Sequence, residues 1–236
     1  MRAVLALDTA GETAGAALAV DGVLKAEVVE ASASRHSQRL FRLVDGVLEG
    51  AGLKPRSLGC VAVSRGPGSF TGLRVGVATA KGIAFALGLP AVGVSTLEAL
   101  ARGAMPFPGV IVPLLDARKQ QVYAAAWDGR TGARLLPEAA RNPERFAAEL
   151  AGLAEAGSCL LLGSGLSPYA DRFREALGDR FLPAPPARWP IPPGQVALLG
   201  DRDFLAGNAV EPARLVPVYH RLSEAEERKG ARAVRL

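Results

Sequence analysis

The chain has 236 residues, 49% of them apolar, which is enough to bury the core of one large domain or two small ones. A net charge of +5 suits work beside a polyanion such as RNA. No uninterrupted apolar run reaches the roughly 18 residues that span a bilayer, and Met1-Arg2-Ala3-Val4 leads straight into a strand-like segment, so the expectation is a cytoplasmic protein with no membrane association. Cys60 and Cys159 each sit inside an apolar run and read as buried, reduced thiols.

Ala3 to Leu7 reads as a short strand and Thr13 to Val20 as a second, and Asp21-Gly22 turns the chain into a third over Val23 to Glu30. Leu40, Leu43, Val44, Val47, Leu48 and Ala51 then fall at the spacing of one helical face, which predicts a helix from about Arg35 to Gly52 with Phe41 off the stripe. Leu58 to Ser64 predicts a buried strand. The loop Arg65-Gly66-Pro67-Gly68-Ser69-Phe70-Thr71-Gly72 comes next, then a helix over Leu73 to Leu87, a strand over Ala91 to Val94 and a helix opened by Ser95-Thr96-Leu97-Glu98. This β-β-β-α-β-α-β order is that of a ribonuclease-H-like unit.

A second copy follows. Val4 to Asp8 parallels Val112 to Asp116, Ala14 to Ala17 parallels Val122 to Ala125, and the Asp21-Gly22 turn has a counterpart in Asp128-Gly129 before a strand at Ala133 to Leu136. A helix around Pro143 to Leu153 precedes Cys159 to Gly165, which mirrors Cys60 to Gly66. The chain therefore divides into 1–104 and 105–236, with the proline-dense stretch Pro183 to Pro193 marking the second half as smaller and looser.

The glycine loop sits between a strand and a helix, where backbone N–H groups and the helix dipole favour an anion. It lacks the Lys-Ser/Thr of a phosphate-binding P-loop, because Leu73 and Arg74 follow Gly72, and no acidic residue directly follows the strand ending near Val94, where a dinucleotide fingerprint would place its ribose-binding carboxylate. Two readings stand: Asp8, Thr9, Gly66, Gly68, Ser69 and Thr71 hold a nucleotide or another anion, or the glycines shape the backbone while Ser69 or Thr71 caps the helix. Gly72, Gly76, Ala80, Ala84 and Gly88 recur every four residues, leaving one helix flank nearly free of side chains for a helix or sheet to approach.

The segments Ala6-Leu7-Asp8-Thr9, Arg35-His36-Ser37-Gln38, Arg65 to Arg74, Gly76 to Gly82 and Gly93 to Leu97 together resemble the TsaB (YeaZ) family. The likeness is dense over residues 1 to 102 and thinner afterwards, resting on Leu115-Asp116-Ala117-Arg118, Gln121-Val122-Tyr123 and Pro217-Val218-Tyr219-His220-Arg221, where members of the family commonly carry Leu at the position of His220. It implies an α/β fold of the actin/Hsp70 type, with two tandem ribonuclease-H-like domains of mixed sheets flanked by helices. It also implies an accessory, non-catalytic subunit of the machinery that places N6-threonylcarbamoyl on adenosine 37 of tRNAs reading codons that begin with adenine. The implied partners are the catalytic paralogue TsaD, the small ATPase TsaE, tRNA through the complex, and a second copy of the chain in a homodimer. Nucleotide and metal are expected only in the assembled complex.

The paralogue's metal site uses two histidines four residues apart; here Leu40 stands four after His36, and the other histidine is His220, so no such pair forms and no catalytic or metal residue is assigned. By resemblance the first two helices dock the partner, with His36, Leu40, Phe41, Gly72, Arg74, Gly76 and Ala80 as the interface. The rival readings are an actin-like kinase or ATPase using Asp8, and a protease acting on the complex partners. The basic tail from Arg221 to Arg235 reads as a solvated terminus or a tRNA contact.

Overall fold

The computed structural model describes residues 1–31, 37–153 and 157–220. The first half runs β1 (Ala3–Asp8), β2 (Thr13–Val20), β3 (Val23–Ala31), α1 (Ser37–Gly50), β4 (Leu58–Gly66), α2 (Phe70–Leu87), β5 (Ala91–Ser95) and α3 (Thr96–Gly103). The second repeats that order in β6 (Gly109–Asp116), β7 (Val122–Asp128), β8 (Arg134–Arg141), α4 (Pro143–Gly152), β9 (Ser158–Leu162), α5 (Leu166–Leu177), β10 (Phe181–Pro183) and α6 (Pro193–Leu205). Sheet order is β3-β2-β1-β4-β5 in one half and β8-β7-β6-β9-β10 in the other, each an antiparallel meander extended by two parallel strands. The duplication read from the sequence is thus a duplication of topology.

Local signals set most boundaries. Asp21 and Gly22 both take positive φ, the geometry of a two-residue hairpin whose twist matches the strands. The second hairpin differs from its expected form. Asp128 caps a longer turn, accepting from the N–H groups of Arg130 and Thr131, and Gly132 rather than Gly129 supplies the left-handed residue. Ser69 caps α2 by accepting from Gly72 N at 3.3 Å, and Gly88 ends it in the left-handed conformation. Ser95 caps α3, but Glu98 does not complete a capping box; its carboxylate turns to Arg202 of α6 at 2.7 Å.

The layers follow from which face each strand turns inward. Val4, Ala6, Ala17, Ala62 and Val94 of the first sheet share one core with Ile111, Leu115, Ala125 and Trp127 of the second. α3 and α6 lie between the sheets. Leu5, Leu7, Val61 and Val63 face outward beneath α1 and α2, while Val112, Leu114 and Leu161 face outward beneath α4 and α5.

Although it comes last in the second repeat, α6 packs on β1, β2 and β4 of the first sheet. A strap over residues 209–220 then runs back along the first half. Its Val210 exchanges both backbone hydrogen bonds with Ala91, each at 2.9 Å, and its Leu215 is buried in the outer core beside α2. Nor is the proline-dense stretch loose in packing: Ala184 and Ile191 are buried, and Trp189 donates its indole N–H to Ala184 O at 2.9 Å.

By length and composition α2 could cross a membrane, at 18 residues, but in this fold it lies along the first sheet with Leu73, Val77, Ala80 and Ala84 buried. Cys60 and Cys159 are buried free thiols. Burial, aided by the nearby Asp201 carboxylate, pushes the Cys60 thiol up to about 12.

Candidate functional site

The parallel strands β1, β4 and β5 end side by side, and the residues singled out in the sequence gather there. Asp8 closes β1 with no solvent exposure. Strand alternation turns it inward with Val4 and Ala6, and Ser64 at the end of β4 faces the same way with Cys60 and Ala62. One Asp8 oxygen accepts weakly from Ala10 N at 3.4 Å; its other oxygen and Ser64 Oγ lack a partner of regular hydrogen-bond geometry. Desolvation raises the Asp8 carboxyl to about 7, with Ser64 and the Ala10 N–H partly opposing the rise.

The two strand-end aspartates are not equivalent. Asp116 follows Val112 and Leu114 onto the outer face, toward Tyr169 of α5, and is partly exposed. Its carboxylate accepts from Arg118 N at 2.8 Å and pairs with the Arg118 side chain at 3.2 Å. Matching the halves by sequence had aligned two aspartates that point to opposite sides of their sheets. A one-residue offset in register reverses the face of every side chain in a strand, which is why the motif alone was misleading.

The glycine loop is closed by the chain itself. A Cβ on Gly68 would overlap the carbonyl oxygen of Ala10, one on Gly72 that of Thr9, and one on Gly66 that of Val218 in the strap. Gly66 also holds φ +128°, a conformation open mainly to glycine. Ser69 N donates to Ala10 O at 2.8 Å, Thr9 Oγ1 donates to Gly72 O at 2.7 Å, and Val218 N donates to Arg65 O at 2.7 Å. Carbonyl oxygens of residues 9, 10 and 218 thus pack directly on the loop glycines, and the Asp8 carboxyl is buried. Among the described residues no group of three or more His, Cys, Asp or Glu is placed to hold a metal ion.

The expected docking surface divides in the same way. Gly72, Gly76 and Ala80 are buried against Thr9, Val63 and the outer core, so the small-residue flank receives the chain's own sheet and turn rather than a partner. Leu40 is likewise a core residue at 2% exposure. These four positions are therefore not available to another protein, because close packing inside the chain already uses their small or apolar character. His36 lies outside the described residues, as does the tail from Arg221.

What α1 and α2 do present is Phe41 at 49% exposure, Phe85 at 83%, and the exposed residues Thr71, Arg74, Ala78 and Gly82. Arg74 stacks 3.9 Å over the Phe70 ring and donates from Nε to Tyr219 Oη at 3.2 Å. Tyr219 in turn lies against Phe70, ring centroids 5.0 Å apart. The strap's part in this surface was missed from sequence, although an apolar Val216-Pro217-Val218-Tyr219 in a polar terminus was a signal for it.

With this geometry in hand, three kinds of relative agree. A family model described as TsaD, tRNA N6-adenosine threonylcarbamoyltransferase, matches residues 27–160. The chain is 34% identical over 225 residues to the tRNA threonylcarbamoyladenosine biosynthesis protein TsaB of Bacillus subtilis, covering 94% of this chain and 96% of that one. The TsaB of Escherichia coli is 32% identical over 92% of this chain and 94% of its own. A Thermus thermophilus tRNA N6-adenosine threonylcarbamoyltransferase is 36% identical over 118 residues, which is 44% of this chain and 36% of that protein. Among solved structures, YeaZ from Pseudomonas aeruginosa superposes with a TM-score of 0.78 at 29% identity, covering 93% of this chain and all of that one. A ROK hexokinase from Thermus thermophilus shares the fold at a TM-score of 0.51 and 15% identity, over 86% of this chain and 99% of its own, which places the two-domain architecture in the actin-like class. The chain belongs to the TsaB (YeaZ) family.

Proposed function

We propose that the chain is a non-catalytic subunit of the cytoplasmic machinery for N6-threonylcarbamoylation of adenosine 37 in tRNAs reading ANN codons, and that it binds and activates the paralogous transferase TsaD. The relatives named for tRNA threonylcarbamoyladenosine biosynthesis support the pathway, and the partial likeness to the transferase supports the choice of partner. The observation that carries the accessory role is the glycine loop packed on the chain's own backbone: carbonyl oxygens of Thr9, Ala10 and Val218 lie where Cβ atoms on Gly72, Gly68 and Gly66 would clash, so the glycines serve close approach within the chain. In this reading ATP hydrolysis belongs to the small ATPase TsaE and the transferred group is handled on TsaD. The exposed parts of α1 and α2, with Phe41 and Arg74, supply the contact and also support a homodimer when TsaD is absent.

Reconstitution of A37 modification from purified TsaD, TsaE, the threonylcarbamoyl-adenylate synthase and tRNA tests the proposal. Modification should need the chain, and the chain alone should hydrolyse no ATP. Full modification without it, or ATPase activity that stays with the chain through repeated purification, would overturn the reading.

A further inference from the structure

We propose that the end of the strap, residues 218–220, and Glu138 of β8 form a releasable clasp over the ends of β1, β4 and β5, and that releasing it gives a second, open form in which Asp8 and Ser64 meet water. This conformational device goes beyond the pairing proposed above and does not depend on it.

The groups beneath the clasp come from strand ends. Leu7 pairs with Val63 and Gly66 with Ser95, so Asp8, Ser64 and Thr96 lie at the same end of three neighbouring parallel strands. They are 0%, 1% and 0% exposed, and one Asp8 oxygen, Ser64 Oγ and Thr96 Oγ1 each lack a partner of regular hydrogen-bond geometry among the described residues. A buried polar atom without such a partner is costly, so three at one end of a sheet favour any arrangement that returns them to water.

The strap is what stands over this end. Val218 N donates to Arg65 O at 2.7 Å, and Val218 O packs on Gly66, two residues after Ser64. From there the strap reaches the second half: the His220 ring lies 6.3 Å from that of Tyr123 on β7, and His220 Nε2 is 4.0 Å from Glu138 Oε2. Glu138 also accepts from Ser95 Oγ, the cap of α3, at 2.7 Å and lies 3.6 Å from Arg134 on its own strand. One carboxylate thus ties β8 of the second half to α3 and the strap of the first. With the His220 side chain 23% exposed, these polar links can be exchanged for water while the apolar core beneath keeps the two sheets together.

Charge sets the direction of the change. Burial raises the Asp8 carboxyl to about 7, opposed by the Ser64 hydroxyl and the Ala10 N–H, and among the described residues no charged side chain adds to the rise. In water Asp8 returns to the ordinary carboxylate range near 4. The closed form therefore holds a proton that the open form releases, so opening increases as pH rises from about 4 to 7 and levels off above. At the clasp the charged neighbours are Glu138 and Arg134, and His220 forms an ion pair with Glu138 only while protonated. Loss of that proton acts in the same direction, and weakly, because the pair is long and partly exposed.

Amide hydrogen exchange of the full chain between pH 5 and 8 tests this, read as protection at Val218 and, as a marker of global unfolding, at Leu5 in the middle of β1. Protection at Val218 should lie at least tenfold below that at Leu5 and should fall at least about tenfold from pH 5 to 7. Asp8→Asn should cut that fall to under threefold. Glu138→Gln keeps an acceptor for Ser95 but removes the charge, and should lower protection at Val218 at least threefold. Equal protection at Val218 and Leu5 overturns the inference, because the strap then parts only when the whole chain unfolds. Low protection at Val218 that ignores pH overturns it in favour of simple fraying of the strap. Both comparisons need only the unaltered chain and so decide the matter even where a variant does not fold. A pH dependence unchanged in Asp8→Asn, or protection unchanged in Glu138→Gln, overturns it as well.

Discussion

Gly76 and Gly82 lie on the same helix, and the same substitution should act in opposite directions at the two. At Gly82 an added Cβ meets nothing within 4 Å, so Gly82→Ala should gain the usual helix preference and raise stability by about 0.5–1 kcal/mol. At Gly76 the same atom would overlap Thr9 Oγ1 and come within 3.5 Å of Val63 Cγ2. Overpacking of this kind costs about 1–3 kcal/mol, and displacing Thr9 strains its hydrogen bond to Gly72 O, worth about 1 kcal/mol. After the propensity gain, Gly76→Ala should lower stability by about 1–3 kcal/mol, a contrast of about 2–4 kcal/mol with its neighbour. For a chain of this size each 1 kcal/mol moves Tm by about 2–4 °C. Thr9→Ala removes the colliding oxygen and leaves its Cβ an ordinary 3.7 Å from the new methyl group. In that background Gly76→Ala should be nearly neutral, a coupling of at least about 1 kcal/mol in a double-mutant cycle. Urea unfolding of the four proteins measures this. If Gly76→Ala stabilises as much as Gly82→Ala, or its effect ignores Thr9, the helix flank is open and the docking role assigned to it from sequence returns.

Two further outcomes follow from buried charge. Because the folded-state value of Asp8 is raised to about 7 from the ordinary carboxylate range, the folded protein keeps a proton that the unfolded chain releases; this group's contribution to stability falls as pH rises from about 4 to 7 and is level above. The shift sets an upper bound of about 4 kcal/mol, so Asp8→Asn should gain on wild type between about pH 4 and 7 in urea unfolding and no further above that, and parallel pH profiles would refute a buried, protonated Asp8. Arg2→Ala should destabilise measurably, because it removes the guanidinium that pairs with the Asp201 carboxylate, whose side chain is only 6% exposed. An unchanged unfolding transition by calorimetry would show that Asp201 reaches water.

The sequence by itself determined the architecture. Strand-length apolar runs, the Asp21-Gly22 turn, the stripe from Leu40 to Leu48 and the caps at Ser69 and Gly88 are local signals, set by backbone geometry and by which face must leave water, and each has its element in the fold. Their recurrence was enough to read two copies of one unit. Chain order could not show what lies opposite a residue. Only the tertiary structure decided that the spacing of Gly72, Gly76 and Ala80 serves the chain's own Thr9 and Val63, that Leu40 is core, that Asp8 and Asp116 face opposite ways, and that α6 and the strap cross to the first half. A flank of small residues states that something approaches closely. Whether that something is a partner or the same chain depends on contacts between residues far apart in sequence, here residue 9 with 72 and 66 with 218, and no local pattern encodes those distances.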